Sequence, residues 1–357
     1  HPLPRFECEP KSGAISGKLV LSETLKRNGN NKRCDLMFKY WWLGLTFIAM
    51  LVLPLVIGEF WVHVVIEILI LGLFAVSFNM IFGYMGQLSF GHAAYFGVGA
   101  YATGLLLVKT SVPLPVCLVV SMITAGLFAL AIGYFCVRLT GIYFAILTMA
   151  FGQLLYYIIF QWYSFTGGDD GLQGIVPPDW LMGVTAYYYF TFLIVAAALI
   201  VMWFISASPF GYTMRSIREN ADRTRFIGIN VRQYMLINFV VAGMFAGLAG
   251  GLLGPFNRSI APDLCNWHQS GVPVFMTVIG GPLGFLGPII GSVIYTFLFA
   301  FVTGYTEYWP LTIGLVIIFV VLFVPGGVLG LAEAKFKTRG TEDVMTEAKG
   351  SMDTETL

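Results

Sequence analysis

Apolar runs of about twenty residues recur along the chain between residues 41 and 324, separated by short polar segments. A helix of about twenty apolar residues is long enough to cross the hydrocarbon core of a bilayer. The runs do not alternate polar and apolar residues, as the strands of a transmembrane β-barrel do. The pattern therefore predicts an all-α polytopic membrane protein with about ten transmembrane helices. The predicted spans are Trp41–Ile57, Phe60–Phe82, Leu88–Val108, Leu114–Val137, Gly141–Trp162, Tyr187–Ile205, Tyr234–Gly254, Val272–Gly281, Phe285–Thr303 and Pro310–Val324.

The eighth of these runs, Val272–Gly281, is too short to cross the bilayer unaided. If it is re-entrant, roughly eight or nine crossings remain, so we expect between about eight and ten. Composition agrees with a membrane protein, because only 11% of the residues are charged and 57% are hydrophobic. A soluble domain has about 25% charged residues. The 41 glycines are typical of helices that pack closely in a bilayer.

Basic residues fall in alternate loops when the N-terminus is placed in the cytoplasm. The outside loops then hold only Lys109 and Arg258 as bases. Cytoplasmic loops of membrane proteins carry an excess of Lys and Arg. We therefore predict a polar cytoplasmic extension at residues 1–39, a transmembrane domain at residues 40–325 and a cytoplasmic tail at residues 326–357. The bases assigned to the inside are Arg138, the arginines from Arg215 to Arg232, Lys335, Lys337 and Arg339.

A charged segment at residues 206–233 separates two of the apolar runs. Each charged residue at the centre of a bilayer costs about 3 kcal/mol, so this segment must lie outside the lipid. Ser208 and Pro209 are typical of a helix start, and Gly228 is typical of a helix end. The pattern predicts a single surface helix between them, with an ion pair between Glu219 and Arg223.

The same helix is predicted to be amphipathic. Met214, Ile217 and Ala221 recur at helical spacing and form its apolar face. Arg218 and Glu219 are expected on its exposed surface.

Polar side chains stand among glycines in the segment Gly86–Tyr101, which reads GQLSFGHAAYFGVGAY. Gln87, Ser89 and His92 are neutral polar groups at membrane depth, where irregular backbone survives only inside the protein or beside a wet cavity. Two interpretations are open, a lining of the transport pathway or tight helix packing, and residue types alone favour packing. Gln153, in the middle of the fifth run, either bonds a neighbouring helix or faces a cavity.

Catalytic and metal-binding patterns are absent from the sequence. It has no Walker A loop, no Gly-x-Ser-x-Gly and no HExxH, and its five cysteines lack metal-ligand spacing. We therefore expect no catalytic residues, no metal ligands and no partner nucleic acid. His63 and Glu67 lie four residues apart in the second run, and intramembrane ionisable groups are functional candidates. They support an alternative function, an autonomous proton-coupled transporter or channel.

Four ordered motifs resemble the LivM-type permeases of branched-chain amino-acid ABC importers. SPFGYTMRSIRENADRTRFIGINV at Ser208–Val231 is similar to the segment that couples these permeases to their ATPases. GQLSFGHAAYFGVGAY, TGGDDGLQG at Thr166–Gly174 and GGPLGFLGP at Gly280–Pro288 resemble three further motifs of the family. The resemblance covers residues 65–323.

The resemblance implies a type II importer permease fold and a subunit that moves its solute by alternating access. The implied partners are a LivH-type second permease, two LivG/LivF-type ATPases, a periplasmic binding protein and the bilayer of the bacterial inner membrane. ATP and magnesium would be bound by the ATPases, so no cofactor is expected in this chain. The implied solute is a branched-chain amino acid, with urea, short amides or other organic acids as alternatives.

Site residues follow from the matched motifs. The ATPase-coupling residues implied are Gly211, Arg215, Ser216, Ile217, Arg218, Glu219, Asn220, Asp222, Arg223 and Gly228. The candidates for pathway lining are Gln87, Ser89, His92, Gln153, Gly280 and Gly281.

Overall fold

A computed structural model describes residues 50–110, 112–305, 308–323 and 326–330. The chain divides into two compact units, residues 1–58 and residues 59–357. In the first unit, residues 50–56 are helical. The predicted extension at residues 1–39, most of the first predicted span and the tail beyond residue 330 lie outside the described residues.

The second unit is built from helices. Its longer helices are α1 (Glu59–Asn79), α2 (His92–Lys109), α3 (Leu114–Cys136), α4 (Ile142–Gln161), α6 (Val184–Ala207), α7 (Pro209–Glu219), α9 (Val231–Asn257), α10 (Trp267–Gly280), α11 (Gly287–Tyr305) and α12 (Trp309–Phe323). Two shorter ones are α5 (Tyr163–Thr166) and α8 (Ala221–Phe226), and a π-helical turn at Met80–Tyr84 continues α1. The all-α polytopic fold is confirmed.

Six helices in the described part of the chain are long and apolar enough to cross a membrane. These spans are Glu59–Tyr84, Leu114–Cys136, Ile142–Gln161, Val184–Ala207, Val231–Asn257 and Gly287–Gly304. The shorter or less apolar helices α2, α10 and α12 accompany them, which is consistent with the expected eight to ten spans. The third predicted span started too early, because backbone from Met85 to Gly91 is not helical and α2 begins at His92.

Helix α9 is central, since it packs against α1, α2 and α3. Glycines of α9 allow its backbone to lie close to the neighbouring helices. A Cβ on Gly247 would meet the Ala125 side chain of α3, and one on Gly250 would meet the Phe96 carbonyl of α2. Gly247 and Gly250, three positions apart, thus serve helix contacts inside this subunit.

The loops collect at two ends of the helical unit. At one end, which we call the basic end, the Gly83–Gln87 turn lies against the segments around Gly141, Arg218 and Pro282. At the other, the acidic end, a two-stranded antiparallel sheet pairs β1 (Leu172–Gln173) with β2 (Ser259–Ile260). The loops predicted on one side of the membrane thus lie together.

Candidate functional site

The charged segment at the basic end forms two helices. Ser208 precedes α7 in an extended conformation and Pro209 is its first residue, as predicted. The chain then breaks at Asn220, which is extended with φ −159° and ψ 102°. The Asn220 side chain caps α8 by accepting a hydrogen bond from the backbone N–H of Arg223 at 2.9 Å. Asn favours this local bond over a helix interior, so the prediction of one continuous helix was wrong.

The break between α7 and α8 changes which charged side chains lie close to each other. The predicted Glu219–Arg223 ion pair is not found among the described residues, since the two lie on different helices. Asp222 and Arg225 of α8 approach to 3.5 Å instead. Both side chains are exposed, so this pair contributes at most about 1 kcal/mol. Gly228, at φ +88°, follows the end of α8, in line with the predicted stop.

The apolar face of α7 packs inward. Met214 and Ile217 are buried, as their spacing predicts, and Ala221 at the start of α8 is half-buried. Gly211 lies so close to the Ser206 carbonyl that a Cβ would clash there. The segment therefore has one face fixed to the protein, with Ser216 on its exposed face.

Two arginines of α7 contact the Gly83–Gln87 turn. The Arg218 guanidinium donates a hydrogen bond to the Gly83 carbonyl, and its Cγ lies 2.7 Å from the position of a Cβ on Gly86. The Arg215 guanidinium lies 4.9 Å from the centre of the Tyr84 ring. Arg218 is exposed, as expected, but its guanidinium also makes a contact within the chain. Sequence spacing gave no sign of this contact, which joins residues 135 positions apart.

Side chains at the end of α7 and along α8 are open to solvent. Glu219, Asp222, Arg223 and Arg225 are exposed. After them come Phe226 and Ile227, whose exposed fractions are 91% and 74%. Since the surrounding charges keep this segment out of hydrocarbon, an exposed apolar tip here is typical of a protein-binding surface. The sequence analysis did not single out these two residues.

Gln87 joins the glycine-rich segment to α4. Its side-chain oxygen accepts a hydrogen bond from the backbone N–H of Gly141 at 2.8 Å. Further along, a Cβ on Gly91 would clash with the Thr148 carbonyl of α4, and the Ala93 N–H donates to Ser270 Oγ of α10 at 3.0 Å. This segment is therefore closely packed against both helices.

His92 is a buried core residue. Ser77 Oγ donates to the Phe74 carbonyl at 2.7 Å and lies 2.9 Å from His92 Nε2. The ring stacks on Phe74 with 5.4 Å between the ring centres, and Nδ1 has no hydrogen-bond partner among the described residues.

The other candidates for pathway lining have various environments. Ser89 is buried, and its hydroxyl has no hydrogen-bond partner in the described part of the chain. Gln153 donates from Nε2 to Asn266 Oδ1 at 3.1 Å. Gly280 is buried against Gly287, and Gly281 is buried with φ +108°. Of the two alternatives for Gln153, the hydrogen bond is observed. Pathway lining by these residues stays a prediction, since most of them are enclosed by the chain itself in this conformation.

His63 and Glu67 do not form a pair. Among the described residues no hydrogen bond or ion pair joins them, and the exposed His63 ring lies 5.3 Å from the ring of Phe256. In the same part of the chain, no group of three or more His, Cys, Asp or Glu residues is placed to hold a metal ion.

Carboxylates dominate the acidic end. Tyr163 donates its hydroxyl to Asp170 Oδ2 at 3.1 Å, and this hydrogen bond raises the pKa of Tyr163. The Lys109 ammonium lies 4.4 Å from the centre of the Phe165 ring. The exposed carboxylates at this end belong to Asp169, Asp170, Asp179 and Asp263.

A family model described as "Branched-chain amino acid transport system / permease component" matches residues 60–324. The chain belongs to this permease family. It is therefore a multi-pass membrane protein that acts as a permease subunit of an ABC importer and not as an enzyme, as the four motifs implied. Family membership gives no support to an autonomous proton-coupled transporter.

Individual relatives are distant but cover most of the chain. The chain is similar to the high-affinity branched-chain amino acid transport system permease protein LivM of Escherichia coli K12, with 23% identity over 83% of this chain and 77% of the relative. The permease protein LivH of the same organism is 25% identical over 74% of this chain and 92% of the relative. BraD of Pseudomonas aeruginosa is 24% identical over the same two shares, 74% and 92%. No solved structure shows significant similarity to the chain.

Proposed function

We propose that this permease carries branched-chain amino acids across the bacterial inner membrane, driven by two ATPase subunits, one of which binds the exposed surface of α7 and α8. The names of the relatives support the solute. A single observation supports the docking surface, namely the fully exposed Phe226 among exposed charges on a segment that cannot lie in hydrocarbon.

The sidedness of the proposal rests on charge. The basic end carries Arg138 and the arginines of α7 and α8, whereas the acidic end carries exposed carboxylates. Excess Lys and Arg favour the cytoplasmic side, so the basic end faces the ATPases and the termini are cytoplasmic. The acidic end then meets a periplasmic binding protein, and a LivH-type permease completes the pathway by alternating access. ATP and magnesium are bound by the ATPases.

Reconstitution tests this proposal. The chain, a LivH-type permease, both ATPases and the binding protein are assembled in liposomes, and uptake of radiolabelled leucine, isoleucine and valine is measured with and without ATP. We expect uptake that depends on ATP and on every subunit. Uptake by the chain alone, without ATPases, contradicts the proposal, as does a complete complex that hydrolyses ATP but imports none of the three amino acids.

A further inference from the structure

The Gly83–Gln87 turn is where the long span that begins at Glu59 ends. The N–H groups of Gly86 and Gln87 bind the carbonyls of Phe82 and Ile81, both at 3.2 Å. Gly86 takes φ +73°, a conformation that favours glycine and commonly ends helices. This local pattern uses the carbonyls of Ile81 and Phe82 and leaves that of Gly83 available.

Arg218 supplies the bond that the turn itself lacks. It donates to the Gly83 carbonyl, while its aliphatic stem covers Gly86. A cation is favourable at the carbonyl end of a helix, and a guanidinium over an aromatic face is attractive, as with Arg215 and Tyr84. Both arginines of α7 thus contact the same five-residue turn.

The turn also contacts the helices that follow it. Gln87 accepts from the N–H of Gly141, which immediately precedes α4, and the chain leads directly from Gln87 into the packed segment before α2. The turn is thus held by α7 on one side and by the start of α4 on the other. By contrast, no hydrogen bond or ion pair of the Arg223 side chain is found in the described parts of the chain, although this residue lies only five positions after Arg218.

We propose that Arg215 and Arg218 are positioning residues that clasp α7 to the Gly83–Gln87 turn and pass its displacement to α2 and α4, while α8 and Phe226 contact the ATPase. This division rests on the proposed function, in which the segment docks on an ATPase. It assigns a contact within the chain to two exposed arginines that the resemblance places at the partner surface.

Hydrogen exchange on the purified full-length chain tests the clasp without any partner. Arg218→Ala removes the donor to Gly83, so exchange at the amides of Gly86 and Gln87 should rise several-fold. Arg218→Lys retains a donor and should recover most of the protection. Arg223→Ala, a matched loss of one arginine, should leave these two amides unchanged. Equal exchange in Arg218→Ala and the unaltered chain overturns the clasp.

Measurements on the complete transporter test whether Arg218 passes the displacement of α7 to α2 and α4. Arg218→Ala should retain its ATPase subunits on purification and continue to hydrolyse ATP, while amino acid taken up per ATP falls at least tenfold, and Arg218→Lys should restore much of that ratio. Unchanged uptake per ATP overturns the proposal. Loss of the ATPases from Arg218→Ala also overturns it, because Arg218 is then itself a docking residue.

Two further variants distinguish a failure of the clasp from a failure of the proposed docking surface. If Arg218→Ala does not fold, Arg215→Ala is measured in its place, and it should also lower uptake per ATP. This variant removes the contacts of the guanidinium with the rings of Tyr84 and Tyr212 but retains the Arg218 bond to Gly83. Unchanged uptake per ATP in Arg215→Ala then overturns the proposal.

Phe226→Ala combined with Arg223→Ala should release the ATPases. Full retention of them contradicts the docking surface of the proposed function, whereas the exchange result still decides the clasp.

Discussion

Individual glycines determine how closely the helices of this unit approach. A Cβ on Gly250 would collide with the backbone carbonyl of Phe96, and one on Gly99 would collide with the backbone of Gly247. A backbone atom cannot move aside as the end of a flexible side chain can. At these positions the fold therefore requires the absence of a side chain, and a methyl group has to push two helices apart.

Replacing Gly250 with alanine should destabilise the protein. Overpacking of this kind costs about 1–3 kcal/mol. We expect a clearly lower melting temperature in detergent, measured by fluorescence-detected size-exclusion chromatography. Gly304→Ala is the matched control, since no atom of the described residues lies within 4 Å of its Cβ position, and it should melt at or slightly above the temperature of the unaltered chain. Equal melting of both variants is the result that would contradict this prediction.

Whole helices were predictable from apolar length, whereas interruptions were not. The span predicted from Leu114 to Val137 is observed as Leu114–Cys136, because a run bounded by Pro113 and Arg138 has clear ends. The start of α2 was misplaced because Leu88 and Phe90 are as apolar as the helix that follows. A positive φ at Gly86 and the hydrogen bond of Gln87 to Gly141 depend on distant contacts that no local pattern shows.

The break between α7 and α8 depends on one side chain, and this gives a prediction. Asn220→Ala removes the acceptor for the Arg223 N–H, a loss of about 1 kcal/mol. Amide exchange within Ala221–Phe226 should rise severalfold by mass spectrometry, and the exposed surface of α8 should change direction. Asn220→Asp retains an acceptor and should keep most of the protection. Exchange that is the same in all three proteins would show that packing, not the cap, orders α8.

Charge is unequally distributed over the molecule as a whole. Arginine sites such as Arg138, Arg218 and Arg225 lie at one end, while carboxylates such as Asp170 and Asp263 lie exposed at the other. The sequence predicted this grouping because the positive-inside pattern is a property of loops, not of contacts. It did not predict which arginines contact the chain itself, since Arg218 and Arg223 are the same residue type and have similar neighbours in the sequence. The ATPase-coupling residues implied by the resemblance therefore stay a prediction, and two of them, Arg215 and Arg218, contact a turn of the chain itself.

Labelling from the two sides of the membrane tests this arrangement. In a variant without its native cysteines, Asp170→Cys should react with a membrane-impermeant maleimide added to intact spheroplasts, because it is exposed at the end assigned to the periplasm. Arg225→Cys, equally exposed at the basic end, should react only after permeabilisation. The reverse pattern would invert the proposed topology.

The small sheet at the acidic end has a mechanical consequence. Leu172 pairs with Ile260, so strand hydrogen bonds join the loop that follows α4 to the loop that follows α9, although the two loops are far apart in the sequence. This pairing limits how far the ends of α4 and α9 can separate at the acidic end. A relative movement of these two helices would therefore be larger toward the basic end, where α7 and α8 lie.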